Sequence, residues 1–239
     1  MRDLGGRCLA LVLLAFGCSG TPVVQGTAGG GTLRFQGESI DYLVHVPPAR
    51  SPDQPLPALL LLHGAGGTGS QMLPLWRSLA DANGLVLIAP TLSLTAAQET
   101  KVPELLPALL DAAGAGLNLD PKRTYAFGYS AGGYFAFDAA TLLSTRFAAV
   151  AVFASVIAPE YDSIVKQAVR KTPVAIYIGD ADPYFSLAQT RRTRDLLVSN
   201  GFPVRYVEIE RQDHAYSRIA EQINRDAWTF FSASSLGTP

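Results

Sequence analysis

The feature that most constrains the fold of this chain is a series of short apolar runs, each followed by a stretch with helical spacing. Pro57–Leu62, Leu85–Ala89, Arg123–Phe127, Ala148–Val156, Pro173–Ile178 and Val204–Ile209 read as strands. Several are apolar at successive positions rather than alternate ones, the pattern of strands buried on both faces of a mostly parallel sheet. Between and after them, Leu75–Asn83, Val102–Leu117, Ala131–Ser144, Ile164–Arg170, Leu187–Asn200 and Tyr216–Phe231 read as helices. Upstream, Thr32–Gln36 and Ile40–Val46 flank a turn at Gly37-Glu38 and read as a hairpin. Strands alternating with helices through short connections predict one α/β domain, a central parallel sheet covered on both faces.

Composition excludes several classes. With 48% hydrophobic and 16% charged residues, the chain can form a core and is not disordered. A formal net charge of −1 gives no attraction to nucleic acid or to an anionic membrane surface. The N-terminus has its own logic. Arg2 and Arg7 precede an apolar run from Cys8 to Phe16, then Gly17-Cys18-Ser19, which reads as an export signal over residues 1–18. Leu14–Cys18 resembles a bacterial lipobox, which implies a lipidated Cys18 attaching the chain to a membrane at the periplasmic or cell-surface side. The other reading is an ordinary signal peptide cut a few residues later, giving a secreted protein. Residues 19–31, rich in Gly and Thr, read as a flexible tether, with the folded domain over 32–235. The 2 cysteines are Cys8 and Cys18, so the domain holds no internal disulfide.

Chemistry enters at Gly128-Tyr129-Ser130-Ala131-Gly132-Gly133. Gly-x-Ser-x-Gly alone is weak evidence, but here a strand leads in and a helix leads out. Nucleophilic catalysis needs that geometry: a sharp turn lifts Ser130 Oγ above the sheet edge, small flanking residues avoid collision, and the helix N-terminus faces a developing oxyanion. A second Gly-rich turn, His63-Gly64-Ala65-Gly66-Gly67, follows the strand Ala58–Leu62 and leaves backbone N–H groups free. A serine nucleophile also requires a base. Of the 3 histidines, His45 lies in the hairpin, His63 precedes the Gly-rich turn and reads as a structural anchor, and His214 lies in a loop at the carboxyl end of the sheet.

With Asp120-Pro121-Lys122-Arg123 upstream, the Ser130 segment resembles the nucleophile elbow of the α/β-hydrolase family, and more narrowly of its polyhydroxybutyrate depolymerase-like and feruloyl esterase-like branch. The likeness runs from about Ser39 to Phe231. It implies an α/β-hydrolase fold and the chain order Ser, acid, His. It selects Asp182 in Gly179-Asp180-Ala181-Asp182-Pro183, with Asp180 as the alternative, and His214 as base. It also implies an oxyanion hole from the N–H groups of Ala131 and of Ala65, with Gly66 as the alternative to the latter.

The short connection Ile157–Thr172 has no room for a large cap, so an open site is expected, suited to small soluble or polymeric esters. Tyr129, Tyr184, Phe185 and Tyr216 flank the triad and could bind substrate or simply pack the core edge. No metal-ligand spacing, phosphate loop or dinucleotide fingerprint is present, so no cofactor is expected. The expected activity is serine ester hydrolysis. A serine peptidase or acyltransferase with the same triad, and a non-catalytic binding protein on the same scaffold, are the rival readings.

Overall fold

The computed structural model describes residues 28–48, 53–93 and 100–237. The export signal and Cys18 lie outside the described residues. Eight strands form one sheet: β1 (Ala28–Phe35), β2 (Glu38–His45), β3 (Leu56–Leu62), β4 (Val86–Pro90), β5 (Leu119–Tyr129), β6 (Ala149–Phe153), β7 (Val174–Gly179) and β8 (Val204–Ile209). Their order is β1-β2-β4-β3-β5-β6-β7-β8. The first hairpin runs antiparallel to itself and to β4, and every later pair is parallel.

Apolar residues at successive strand positions feed two separate cores. Leu60, Leu62, Ala126, Val150, Val152 and Ile176 face α2 (Val102–Gly114) and α3 (Ala131–Thr141) on one side. Leu59, Leu61, Phe127, Ala151, Phe153 and Tyr177 face α1 (Gly69–Asn83) and α6 (Ala220–Ser232) on the other. The short α4 (Asp162–Gln167) and the longer α5 (Leu187–Ser199) complete the first layer. The connection from β6 to β7 carries only a 3₁₀ turn at Pro159–Tyr161 and α4, so among the described residues it builds no cap over the site.

Some expectations need correction. Residues 28–31, assigned to a tether, are the start of β1: Ala28–Gly31 pair with Tyr42–His45. Glycine lowers strand propensity, but backbone pairing to an existing strand prevails. The helix expected from Leu75 begins at Gly69, because Thr68 caps it: the Thr68 N–H donates to Gln71 Oε1 at 3.1 Å. Pro74 lies inside this helix and does not start it. The helix expected to reach Leu117 stops at Gly114, where Gly116, at φ 79°, turns the chain. The last expected helix breaks at Ile219 into a 3₁₀ turn, Tyr216–Arg218, and α6. The Asp120-Pro121 turn chemistry is present, but inside the irregular start of β5: Asp120 Oδ1 accepts from the Lys122 N–H at 2.9 Å where the β3–β5 register shifts.

Candidate active site

The end of β5 runs directly into α3, and Ser130 occupies the joint with φ 52° and ψ −120°. Such a conformation costs a non-glycine residue about 1–3 kcal/mol and persists only where its surroundings enforce it. Here the Ser130 N–H donates to Phe153 O at 2.9 Å, and the Gly133 N–H donates to Ser130 O at 2.8 Å. The flanking glycines are required by contact: a Cβ on Gly128 would lie 2.4 Å from Gly132 O, and one on Gly132 would lie 2.4 Å from Leu62 O.

Three loops at the carboxyl edge of the sheet bring Ser130, His214 and Asp182 together. His214 Nε2 lies 2.9 Å from Ser130 Oγ, and His214 Nδ1 lies 2.7 Å from Asp182 Oδ2. The Asp182 side chain is 0% exposed, and its Oδ1 accepts from the N–H groups of Tyr184 (2.8 Å) and Phe185 (2.9 Å). With both oxygens engaged, the carboxylate is held in one orientation, and the facing Nδ1 carries the imidazole proton. That leaves Nε2 as the acceptor for the Ser130 hydroxyl. Asp180 goes elsewhere: it is exposed and its Oδ1 accepts from the Arg211 N–H at 2.6 Å. Asp213, adjacent to His214, binds the Ala215 N–H and pairs with Arg218.

The turn Gly64–Gly67 closes through the Gly67 N–H and Gly64 O at 3.0 Å, with Gly66 at φ 68°. Ala65 and Ala131 line the same cavity as Ser130 and His214, and among the described residues no carbonyl accepts from the N–H of either. His63 anchors this turn from beneath. Its Nε2 accepts from the Leu92 N–H at 2.9 Å, and its Nδ1 donates to Gly64 O at 2.7 Å. Burial lowers its pKa, so the ring stays neutral in that bridge. His45 is also structural: it is buried and its Nε2 lies 2.6 Å from Asp81 Oδ1, tying β2 to α1.

The cleft has two lobes that meet at Gly64, Ala65 and Tyr129. One, of about 460 Å³, holds Ser130, Tyr184, Phe185 and His214. The other, of about 550 Å³, lies beyond the Gly64–Gly67 turn against Gln71, Met72, Leu75 and Ser217. Among the described residues, no Lys, Arg, Asp or Glu lines either lobe. Of the three tyrosines expected near substrate, Tyr184 is 71% exposed at the mouth, its ring edge-on to His214 at 4.7 Å. Tyr216 reaches only the floor. It is 2% exposed and its hydroxyl is bound to Asn224, so it belongs to the core packing. Tyr129 lines both lobes, but its hydroxyl is already engaged, donating to His214 O at 2.9 Å.

A family model, that of the dienelactone hydrolases, matches residues 91–229. The chain belongs to the dienelactone hydrolase family. This places it within the α/β-hydrolase superfamily that the elbow resembled, under a family name other than the depolymerase-like and feruloyl esterase-like branch. A curated relative, a bifunctional acetylxylan esterase/xylanase of Neocallimastix patriciarum, is 33% identical over 124 residues, covering 49% of this chain and 18% of the relative. The chain thus spans less than a fifth of that relative. Among solved structures, a dienelactone hydrolase-like promiscuous phosphotriesterase from metagenomic libraries superposes with a TM-score of 0.74 at 18% identity, covering 88% of this chain and 99% of the other. An S-formylglutathione hydrolase from Agrobacterium tumefaciens gives 0.70 at 20% identity, covering 90% and 97%. These two structures share the fold.

Sequence reasoning anticipated main-chain donors for an oxyanion but missed the main-chain groups that hold the acid and the elbow in place. The N–H groups of Tyr184 and Phe185 fix Asp182, and the carbonyl of Phe153 fixes the elbow. Unlike the donors of the Gly-rich turn, these three main-chain groups carry no residue-type signature. Gly64 does carry a signal in its residue type: a Cβ there would press within 3.0 Å of the Tyr129 ring and 3.3 Å of Ser130 Cβ.

Proposed function

We propose that this protein hydrolyses neutral carboxylic esters through an acyl-enzyme on Ser130, with His214 as general base and acid and Asp182 as its orienting carboxylate. The observation that carries the reading is the unbroken chain from Asp182 Oδ2 through both His214 nitrogens to Ser130 Oγ, at 2.7 and 2.9 Å, on a strained elbow. His214 Nε2 takes the hydroxyl proton as Oγ attacks the ester carbonyl. The N–H groups of Ala65 and Ala131 hold the resulting oxyanion. When the tetrahedral intermediate collapses, the bond to the alcohol oxygen breaks and that oxygen receives the proton from Nε2. Water, deprotonated in turn by His214, attacks the acyl-enzyme; the acid departs and Oγ regains its proton.

The walls support a neutral substrate, because an anionic or cationic ester would enter a cleft whose described walls offer no counter-charge and lose hydration uncompensated. The acetylxylan esterase relative supports acetyl esters of carbohydrates as candidates, and the open cleft suits small or polymeric esters. The test compares p-nitrophenyl acetate with acetyl-p-nitroanilide. Faster ester cleavage is expected; faster anilide cleavage would favour the peptidase reading. Cleavage of neither, with no reaction of Ser130 with a fluorophosphonate, would favour a binding protein. We also propose export with lipidation at Cys18, supported by the lipobox-like residues Leu14–Cys18. Cys18→Ala should then release the exported protein from the membrane fraction, whereas an unlipidated, already soluble wild type contradicts it.

A further inference from the structure

Tyr129 precedes the nucleophile, and four observations place it between the parts of the site. Its hydroxyl crosses the cleft to His214 O at 2.9 Å, joining residues 85 apart in sequence. Its ring packs on the His214 ring at 5.3 Å and on Tyr216 at 5.6 Å. The absence of a side chain at Gly64 is what lets the ring lie against the oxyanion turn. Ser130, one residue on, is fixed to β6 through Phe153 O.

Two connections therefore run between the same short segments. Ser130 Oγ meets the imidazole at 2.9 Å, and Tyr129 Oη meets the main chain of that histidine at 2.9 Å. Among the described residues, the carbonyl of His214 otherwise accepts only from the Tyr216 N–H, a bond within its own segment. The phenol is thus the hydrogen bond that refers the main chain of the base to the nucleophile's strand.

The geometry points to Tyr129 as a positioning residue: its hydroxyl sets the distance between His214 and Ser130 by holding the base's main chain to the strand that bears the nucleophile. This inference rests on the triad reading above. Burial and the carboxylates of Asp182 and Asp213 raise the phenol's pKa, so the hydroxyl remains a donor throughout the working range of an esterase.

The fold supplies a matched control. Tyr125, four residues earlier on β5, donates its hydroxyl to Ser234 O, also at 2.9 Å and remote from the site. Tyr129→Phe and Tyr125→Phe each delete one phenol-to-carbonyl bond from the same strand. The experiment measures kcat and KM on p-nitrophenyl acetate, the rate of fluorophosphonate labelling and the thermal midpoint. Tyr129→Phe is expected to lower kcat and the labelling rate together by about 3- to 10-fold, with KM changed by less than about 2-fold. Tyr125→Phe is expected to lower the midpoint comparably while keeping kcat within about 2-fold. Three results would overturn the proposal: unchanged kcat and labelling in Tyr129→Phe, an equal loss of kcat in both variants, or an effect confined to KM. The last would mean that the hydroxyl serves substrate rather than the base. A wild type that neither labels nor hydrolyses would overturn the triad reading itself, and this proposal with it.

Discussion

Replacing Asp182 by Asn tests the orienting role proposed for it apart from its packing, because the two side chains have nearly the same shape. Asp182 Oδ1 accepts two N–H groups, from Tyr184 and Phe185 at 2.8 and 2.9 Å, while Oδ2 faces His214 Nδ1 at 2.7 Å. An amide has one oxygen to share between these positions. If it faces His214, its NH₂ group confronts two donors, leaving both unsatisfied at about 1–3 kcal/mol each. If it faces the two N–H groups, its NH₂ group meets Nδ1, and the imidazole must move its proton to Nε2. That tautomer cannot accept from Ser130. The unproductive arrangement is thus favoured by about 2–6 kcal/mol, leaving roughly one molecule in 30 to one in 10⁴ competent. In the serine protease triad the same change lowers kcat about 10⁴-fold, which marks the upper end of that range. The assay is kcat on p-nitrophenyl acetate, with Asp180→Asn as the control. Asp180 is exposed and its carboxylate accepts from the Arg211 N–H outside the triad, so its variant should stay within about 3-fold of wild type. A loss below about 3-fold in Asp182→Asn, or a larger loss in Asp180→Asn, would refute the assignment.

Two further perturbations test the scaffold beneath the site. Gly132→Ala would drive a Cβ to 2.4 and 2.5 Å from the carbonyls of Leu62 and His63; at about 1–3 kcal/mol of strain, the thermal midpoint should fall by about 3–10 °C and kcat should fall with it, and an unchanged melting curve would contradict the contact. His63 gives a pH signature: burial lowers its pKa from the ordinary 6.5, so as pH falls through that value the unfolded chain takes up a proton that the folded one refuses. Stability present above 6.5 is therefore lost on acidification, and the advantage of wild type over His63→Gln in thermal midpoint should shrink between about pH 7.5 and about pH 5; a constant or growing gap would refute the neutral bridge.

Much of the architecture is readable from sequence because buried parallel strands have a distinctive composition. Leu59–Leu62 and Val150–Phe153 are apolar at successive positions, and each faces a different core at alternate residues. The elbow is readable for a steric reason: only glycine fits at 128 and 132, so the requirement is written in residue type. Element ends are less legible. Pro74 masks the continuity of α1 back to its Thr68 and Gln71 cap, and the three glycines of β1 conceal its first half, whose pairing comes from β2 rather than from its own propensity. Ser130 and His214 are candidates from the elbow and the family's chain order, which leaves Asp180 and Asp182 both open as the acid; the resemblance selects Asp182. The use of Tyr129 is not, since whether a phenol faces solvent, core or a carbonyl 85 residues away is decided by tertiary packing.

The proposed ester hydrolysis depends on Ser130 Oγ being an activated nucleophile. Mass spectrometry of the protein after treatment with a fluorophosphonate tests it most directly. One adduct is predicted, on the peptide bearing Ser130, absent in Ser130→Ala and formed far more slowly in His214→Ala. No adduct on the wild type, an adduct on a different residue, or undiminished labelling without His214 would contradict it.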